Sequence, residues 1–175
     1  AGGPQRGREL GCLGIIPDGA VLITDEKIAA AGPSQELRSA YPHEPLLDAG
    51  GGVVMPGFID PHTHAIWAGD RAAEFEMRLE GKTYLEILAA GGGILSTVHA
   101  TRTASLERLL NETRRRLWSM FSYGTTTAEI KTGYGLRTAA ELRMLQALIN
   151  LNGEGPLELA FTFLGLLLYI LGSNP

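Results

Sequence analysis

Pro56-Gly57-Phe58-Ile59-Asp60-Pro61-His62-Thr63-His64 joins a short apolar run to two histidines spaced two residues apart. In extended backbone alternate side chains point the same way, so His62 and His64 share one face and two imidazoles can grip one metal. Neutral imidazole is a good ligand for zinc or iron. Pro61 lacks an N–H and ends regular strand pairing just where a ligand must project. A His-x-His pair also recurs by chance as two exposed histidines; the apolar strand before it and Asp60 beside it favour the metal reading.

Working upstream, the stretch from Ile15 to Gly32 alternates short β-rich runs with the turn signals Pro17-Asp18-Gly19 and Asp25-Glu26, which predicts a small β-hairpin region. Ser34 to Tyr41 is suited to a short helix, Pro42 to Pro45 stops it, and a further β-rich run reaches Val53-Val54-Met55. A domain boundary is expected near Pro56, between residues 1–55 and residues 56–175.

Downstream the order becomes strand, helix, strand, helix, strand, with a long insertion from Pro61 to Thr103, which implies an α/β class. Leu106, Leu109, Leu110, Leu117, Met120 and Phe121 recur at three- and four-residue spacings, predicting a helix from about Ser105 to Tyr123 with Gly124 as its stop. The β-branched run Thr125-Thr126-Thr127-Ala128-Glu129-Ile130 reads as a buried strand. Thr138 and Glu141 have capping-box spacing for a helix to about Leu151, and Leu157 to Leu164 supplies a third parallel strand buried on both faces. Three βα units cannot close a (β/α)₈ barrel, which takes about 250 residues. The chain is therefore expected to be incomplete or its sheet open, and Ala1 in place of Met predicts processing or truncation.

Composition narrows the function classes. Hydrophobic residues at 45% and charged residues at 19% suit a globular protein rather than a disordered one. A net charge of −4 gives no basic field for phosphates, so nucleic acid is not an expected partner, and Arg114-Arg115-Arg116 reads as one solvated helix face. Cys12 is the single cysteine, so no intrachain disulfide or thiolate cluster can form, which suits a cytoplasmic setting. The uncharged run from Leu159 to Leu171 is 13 residues long, short of the roughly 20 that span a membrane, and no secretory signal is read at the start. No membrane partner is expected.

Two further residues are candidates for substrate contact. Arg71, after Gly69-Asp70 in the insertion, has a planar fork suited to a carboxylate, although a surface salt bridge is the commoner fate of a loop arginine. Tyr134 lies in Lys131-Thr132-Gly133-Tyr134-Gly135-Leu136, directly after a strand, where βα enzymes gather function; packing is its alternative role. Glu129 and Lys131 can also point inward. Gly91-Gly92-Gly93 lacks the residues of a phosphate loop and reads as a flexible connection. His43, His99 and Trp67 are not assigned to a site.

These residues carry a resemblance. Pro56 to His64 resembles the first-strand signature of metal-dependent amidohydrolases. Trp67-Ala68-Gly69-Asp70-Arg71 with Glu74-Phe75, Thr83-Tyr84-Leu85-Glu86-Ile87, Ala90 to Ile94, Ala100-Thr101-Arg102, and Gly133-Tyr134-Gly135-Leu136 leading to Glu141-Leu142 are similar to the imidazolonepropionase branch. The resemblance runs in order from about Gly19 to Gly165. It implies a (β/α)₈ barrel with a small N-terminal β-sandwich portion, and hydrolysis of 4-imidazolone-5-propanoate to N-formimidoyl-L-glutamate in histidine degradation. It also implies one zinc or iron ion held at His62 and His64, substrate contacts from Arg71 and Tyr134, with Tyr84 a weaker candidate, a small-molecule substrate, and a homodimer for the full-length enzyme. Other cyclic-amide or amidine amidohydrolases, and a non-catalytic remnant, are the alternatives.

The sequence departs from the branch in two ways. Thr132 stands where the family often has serine, and Leu166-Leu167 follow Gly165 where it continues with a small residue and a substrate-binding histidine. The family's other metal ligands and its acid/base glutamate come from later strands, so no catalytic acid/base residue is assigned here.

Overall fold

A computed structural model of the chain describes residues 5–165. Its contacts divide the chain into two compact units that meet between Val54 and Met55. In the first, strands β1 (Gly19–Thr24) and β2 (Lys27–Pro33) form an antiparallel hairpin, followed by helix α1 (Ser34–Ala40). Asp25 and Glu26 make the connection with φ of 50° and 61°, the left-handed pair of a type I′ turn whose twist matches its strands. Ser34 Oγ donates to Asp18 Oδ2 at 2.6 Å, tying the start of α1 back to the start of the hairpin.

The expected strand through Val53-Val54-Met55 is not formed. These residues have no regular pairing, and Val53 and Val54 are 88% and 67% exposed. β-branched content favours a strand only where a partner offers a ladder, and none pairs with them among the described residues. The described β structure of this unit is one two-stranded sheet.

The second unit is mixed α/β. Strands β3 (Phe58–Thr63), β4 (Thr125–Lys131) and β5 (Glu158–Thr162) pair in parallel in that order. Helices α2 (Ala72–Leu79), α3 (Tyr84–Ala89) and α4 (Ile94–Thr103) occupy the stretch read as an insertion, and α5 (Leu106–Ser122) and α6 (Thr138–Leu151) complete the crossovers. Leu109 and Leu117 of α5, Met144, Ala147 and Leu148 of α6, and Ala128 and Ile130 of β4 form one core. Full burial of a side chain such as Leu109 or Leu148 contributes about 1.5–3 kcal/mol. Phe121, expected on the apolar face, is exposed and stands edge-on to Trp118 instead.

Helix ends follow side-chain chemistry. Ser105 caps α5 by accepting from Arg108 N–H, and Gly124 follows its last turn with φ 92°. Thr83 and Glu86 form a reciprocal capping box on α3. Thr138 and Glu141 do not: α6 starts without a side-chain cap, because Glu141 reaches back to the preceding turn.

Two further expectations are corrected. β5 is buried on one face only, with Leu159 inside and Glu158 and Ala160 exposed, because helices cover one side of the three-stranded sheet. Gly91-Gly92-Gly93 is not a loose connection, since Gly93 N–H donates to the buried carboxylate of Glu74 at 3.0 Å and Gly93 starts α4. A Cβ on Gly92 would lie 2.7 Å from the Ile87 side chain and 2.9 Å from its backbone oxygen. The divergent segment after Gly165 lies outside the described residues.

Candidate active site

His62 lies near the end of β3 and His64 just past it. Pairing between β3 and β4 shifts register between Asp60 and Thr63, across Pro61, and His62 N–H turns to Asp60 Oδ1 at 3.3 Å. Thr63 Oγ1 donates to the carbonyl of Glu129 at 2.9 Å, which pins the strand end to β4. The two imidazoles are neighbours, with ring centroids 5.7 Å apart and planes tilted by 57°. The Tyr134 ring lies 5.5 Å from that of His64. Two histidines from one strand end and a phenol from the loop after the next strand therefore meet at the C-terminal edge of the sheet, where parallel βα folds place ligands.

Burial holds the His64 imidazole below its ordinary pKa, helped by the charges of His62 and Lys131, so its neutral, ligating form is favoured. Its Nδ1 is buried without a protein hydrogen-bond partner. An unclaimed nitrogen on a half-buried ring beside a second imidazole fits a metal ligand. Among the described residues no three His, Cys, Asp or Glu side chains gather around one point.

Glu129 and Lys131 project from the same face of β4. Lys131 Nζ donates to Glu129 Oε1 at 2.5 Å and Thr162 Oγ1 donates to the same oxygen. The Lys131 and Thr162 bonds hold the Glu129 carboxyl below its usual range, with a smaller contribution from His62. Thr132, where the resemblance leads one to expect serine, is fully buried, and its hydroxyl accepts from Leu164 N–H at 3.2 Å.

Arg71 stands apart from this ring cluster in its described bonding. It precedes α2 and its guanidinium donates to Glu74 Oε2, while its own side chain is 39% exposed. Glu74 thus ties Arg71 to the Gly93 turn. The Arg71 hydrogen bond, then that of Gly93, lowers the Glu74 pKa. A carboxyl whose folded pKa is depressed stabilises the fold above its unfolded value near 4.3 and loses that contribution as pH falls through the folded value. The stability difference between the wild type and Glu74→Gln, measured by urea unfolding, is therefore expected to be constant above about pH 5.5 and to shrink steadily below about pH 4.3. A difference that grows on acidification would remove Glu74 from this role.

Three residues were not assigned to the site by sequence reasoning. Arg102 donates from Nε to Gly135 O at 2.6 Å and from Nη2 to Leu136 O at 3.0 Å, holding the Tyr134 turn. Glu141 Oε1 accepts from Gly135 and Leu136 N–H at 2.7 and 2.8 Å. Arg116 is not part of a solvated face: its Nη1 donates to Ala65 O and Trp67 O at 3.1 and 2.7 Å, and its guanidinium lies 3.6 Å over the Trp67 ring. Cation and ring attract because the ring face is electron-rich, and Trp67 serves as the platform. The only advance signals were the motif positions of Arg102 and Glu141; a run of three arginines conceals the one that turns inward.

Comparison with known proteins gives one consistent likeness. Residues 19–43 match a model described as an imidazolonepropionase-like composite domain of bacteria, and residues 46–90 match the amidohydrolase family. The chain is 51% identical to the imidazolonepropionase of Herpetosiphon aurantiacus over 162 residues, 93% of this chain and 38% of that protein. It is 49% identical to that of Chloroflexus aggregans over the same shares, and 51% identical to that of Halobacterium salinarum over 93% of this chain and 39% of the relative. Along nearly its whole length the chain is similar to the imidazolonepropionase branch of the amidohydrolases. It spans about two-fifths of the length of these relatives. The amidohydrolase family implies a metal cofactor, which the His62 and His64 pair suits. Among the described residues no helix is long and apolar enough to cross a membrane.

Proposed function

We propose that the protein to which this sequence belongs hydrolyses 4-imidazolone-5-propanoate to N-formimidoyl-L-glutamate. The observation that carries this is the meeting of His62, His64 and Tyr134 at the C-terminal edge of the sheet, in a chain about half identical to imidazolonepropionases. In the ring opening, water adds its oxygen to the ring carbonyl carbon, the carbonyl C–N bond breaks, and the released nitrogen takes a proton. His62 and His64 hold one zinc or iron ion. When bound, that ion supplies Lewis acidity, acidifying water and polarising the ring carbonyl. The Tyr134 phenol hydrogen-bonds the ring or product, and the Arg71 guanidinium pairs with the propanoate, with Glu74 setting its orientation. In this reading residues 1–55 belong to a small β-sandwich domain and residues 56–175 to the first units of a (β/α)₈ barrel, in a cytoplasmic homodimer acting on a small molecule.

The test uses a chimera in which residues 1–164 precede the remaining length of the Herpetosiphon aurantiacus relative. It is expected to consume imidazolone propanoate, followed by loss of the ring's absorbance. Arg71→Ala in that chimera is expected to raise KM about 10- to 100-fold, the size of a lost charge-assisted carboxylate contact, with metal content unchanged. Unaltered KM returns Arg71 to the surface-ion-pair class, and a chimera that binds metal yet turns over only a different cyclic amide reassigns the substrate.

A further inference from the structure

We propose that Glu141 and Arg102 are positioning residues, a two-sided hydrogen-bond clamp that locks the 133–136 turn and so fixes Tyr134 against His64. The turn needs holding. Gly133 has φ 142°, and Leu136, a residue with a side chain, sits at φ 47° in the left-handed region that such residues rarely adopt. The N–H and C=O groups of both residues that follow Tyr134 are satisfied by side chains from other elements. Glu141 Oε1 in α6 accepts the N–H groups of Gly135 and Leu136, and Arg102 in α4 donates to the carbonyls of the same two residues. Arg143 braces the arrangement, its Nη2 donating to the carbonyls of Thr101 and Arg102 at 3.1 and 2.7 Å.

The fit leaves little slack. Glu141 is fully buried, and a Cβ on Gly135 would lie 2.8 Å from Glu141 N and 3.0 Å from the Ala140 carbonyl carbon. A buried carboxylate is costly to desolvate, and a helix start needs only a hydroxyl or amide cap. Here the carboxylate reaches past its own helix to the turn, and the residue it steadies, Tyr134, touches His64. One further detail sharpens the inference: Oε1 alone takes both N–H bonds, while Oε2 is buried with no partner. Both N–H bonds thus converge on one acceptor oxygen, whose reach sets the turn. The inference rests on the reading of Tyr134 as a substrate contact, but its test needs no substrate.

On the 175-residue chain, amide hydrogen exchange at Gly135 and Leu136 is measured against Ala128 and Ile130 of β4, together with the ring-to-ring proton contact between Tyr134 and His64. Glu141→Asp keeps the charge but shortens the reach; Glu141→Gln keeps the reach and loses the charge. Glu141→Asp and Glu141→Ala are expected to speed exchange at the two amides more than about tenfold and to abolish the ring contact, while Glu141→Gln stays within about threefold and keeps it. Arg102→Lys, which retains a cation without the fork, is expected to lose the ring contact as well. If Glu141→Ala unfolds and the β4 amides exchange with the rest, the contrast between the Asp and Gln variants decides. Exchange unchanged in Glu141→Asp, or Glu141→Gln as damaging as Glu141→Asp, overturns the clamp; a ring contact that survives Arg102→Lys removes Arg102 from it. Failure of the hydrolase reading would appear separately, as absent turnover in the chimera.

Discussion

Replacing His64 with alanine in the chimera is expected to weaken metal retention by more than about 100-fold and to bring turnover to background. Changes outside the ligand shell already cost 10- to 100-fold in affinity, so loss of a ligand exceeds them. His64 is also the better prepared of the two imidazoles: burial favours its neutral form and its Nδ1 has no protein partner, whereas His62 is exposed. His62→Ala is therefore expected to reduce retention as well, but less completely. Metal content after dialysis against a weak chelator, set beside kcat, checks both. Full metal occupancy and normal turnover in His64→Ala would exclude the pair from the metal site.

The second large effect concerns the 175-residue polypeptide assayed by itself with added zinc or iron. Its turnover is expected to match buffer alone. Catalytic zinc sites use three protein ligands and an open position, and no group of three candidate ligands gathers among the described residues. Residues 166–175 contain no His, Cys, Asp or Glu to add. Phe58 and Ile59 on the outer strand β3 are 53% and 70% exposed, so concentration-dependent association is expected alongside the absent turnover. Light scattering and the absorbance assay on one sample check the two together, and turnover near that of a full-length relative would show that two imidazoles suffice.

The parts of this molecule governed by short-range periodicity were legible in the residues. The α5 helix, the β4 strand and the shared face of His62 and His64 follow from spacings of three, four and two. What was not legible depends on a partner that the local spacing does not name. Val53-Val54-Met55 has strand chemistry, but a strand also needs a ladder. Glu141 has capping-box spacing from Thr138, and only the fold brings Gly135 N–H within 2.7 Å as the competing donor. The three-glycine run reads as loose until a buried Glu74 is placed beneath it.

Arg114, Arg115 and Arg116 are chemically identical neighbours under three different constraints. Arg114 pairs with Glu154 at 2.7 Å, Arg115 is exposed, and Arg116 spans the carbonyls of Ala65 and Trp67 while covering an indole. The chain immediately beyond His64 is thereby fastened to a helix on the outer layer of the unit. Lysine at position 115 is a neutral exchange of cations, whereas the same exchange at position 116 discards a two-pronged strut and the stacking plane above Trp67. A charge-redesign scheme that treats this run as interchangeable surface would loosen the histidine-bearing end of β3 from behind, without touching either imidazole.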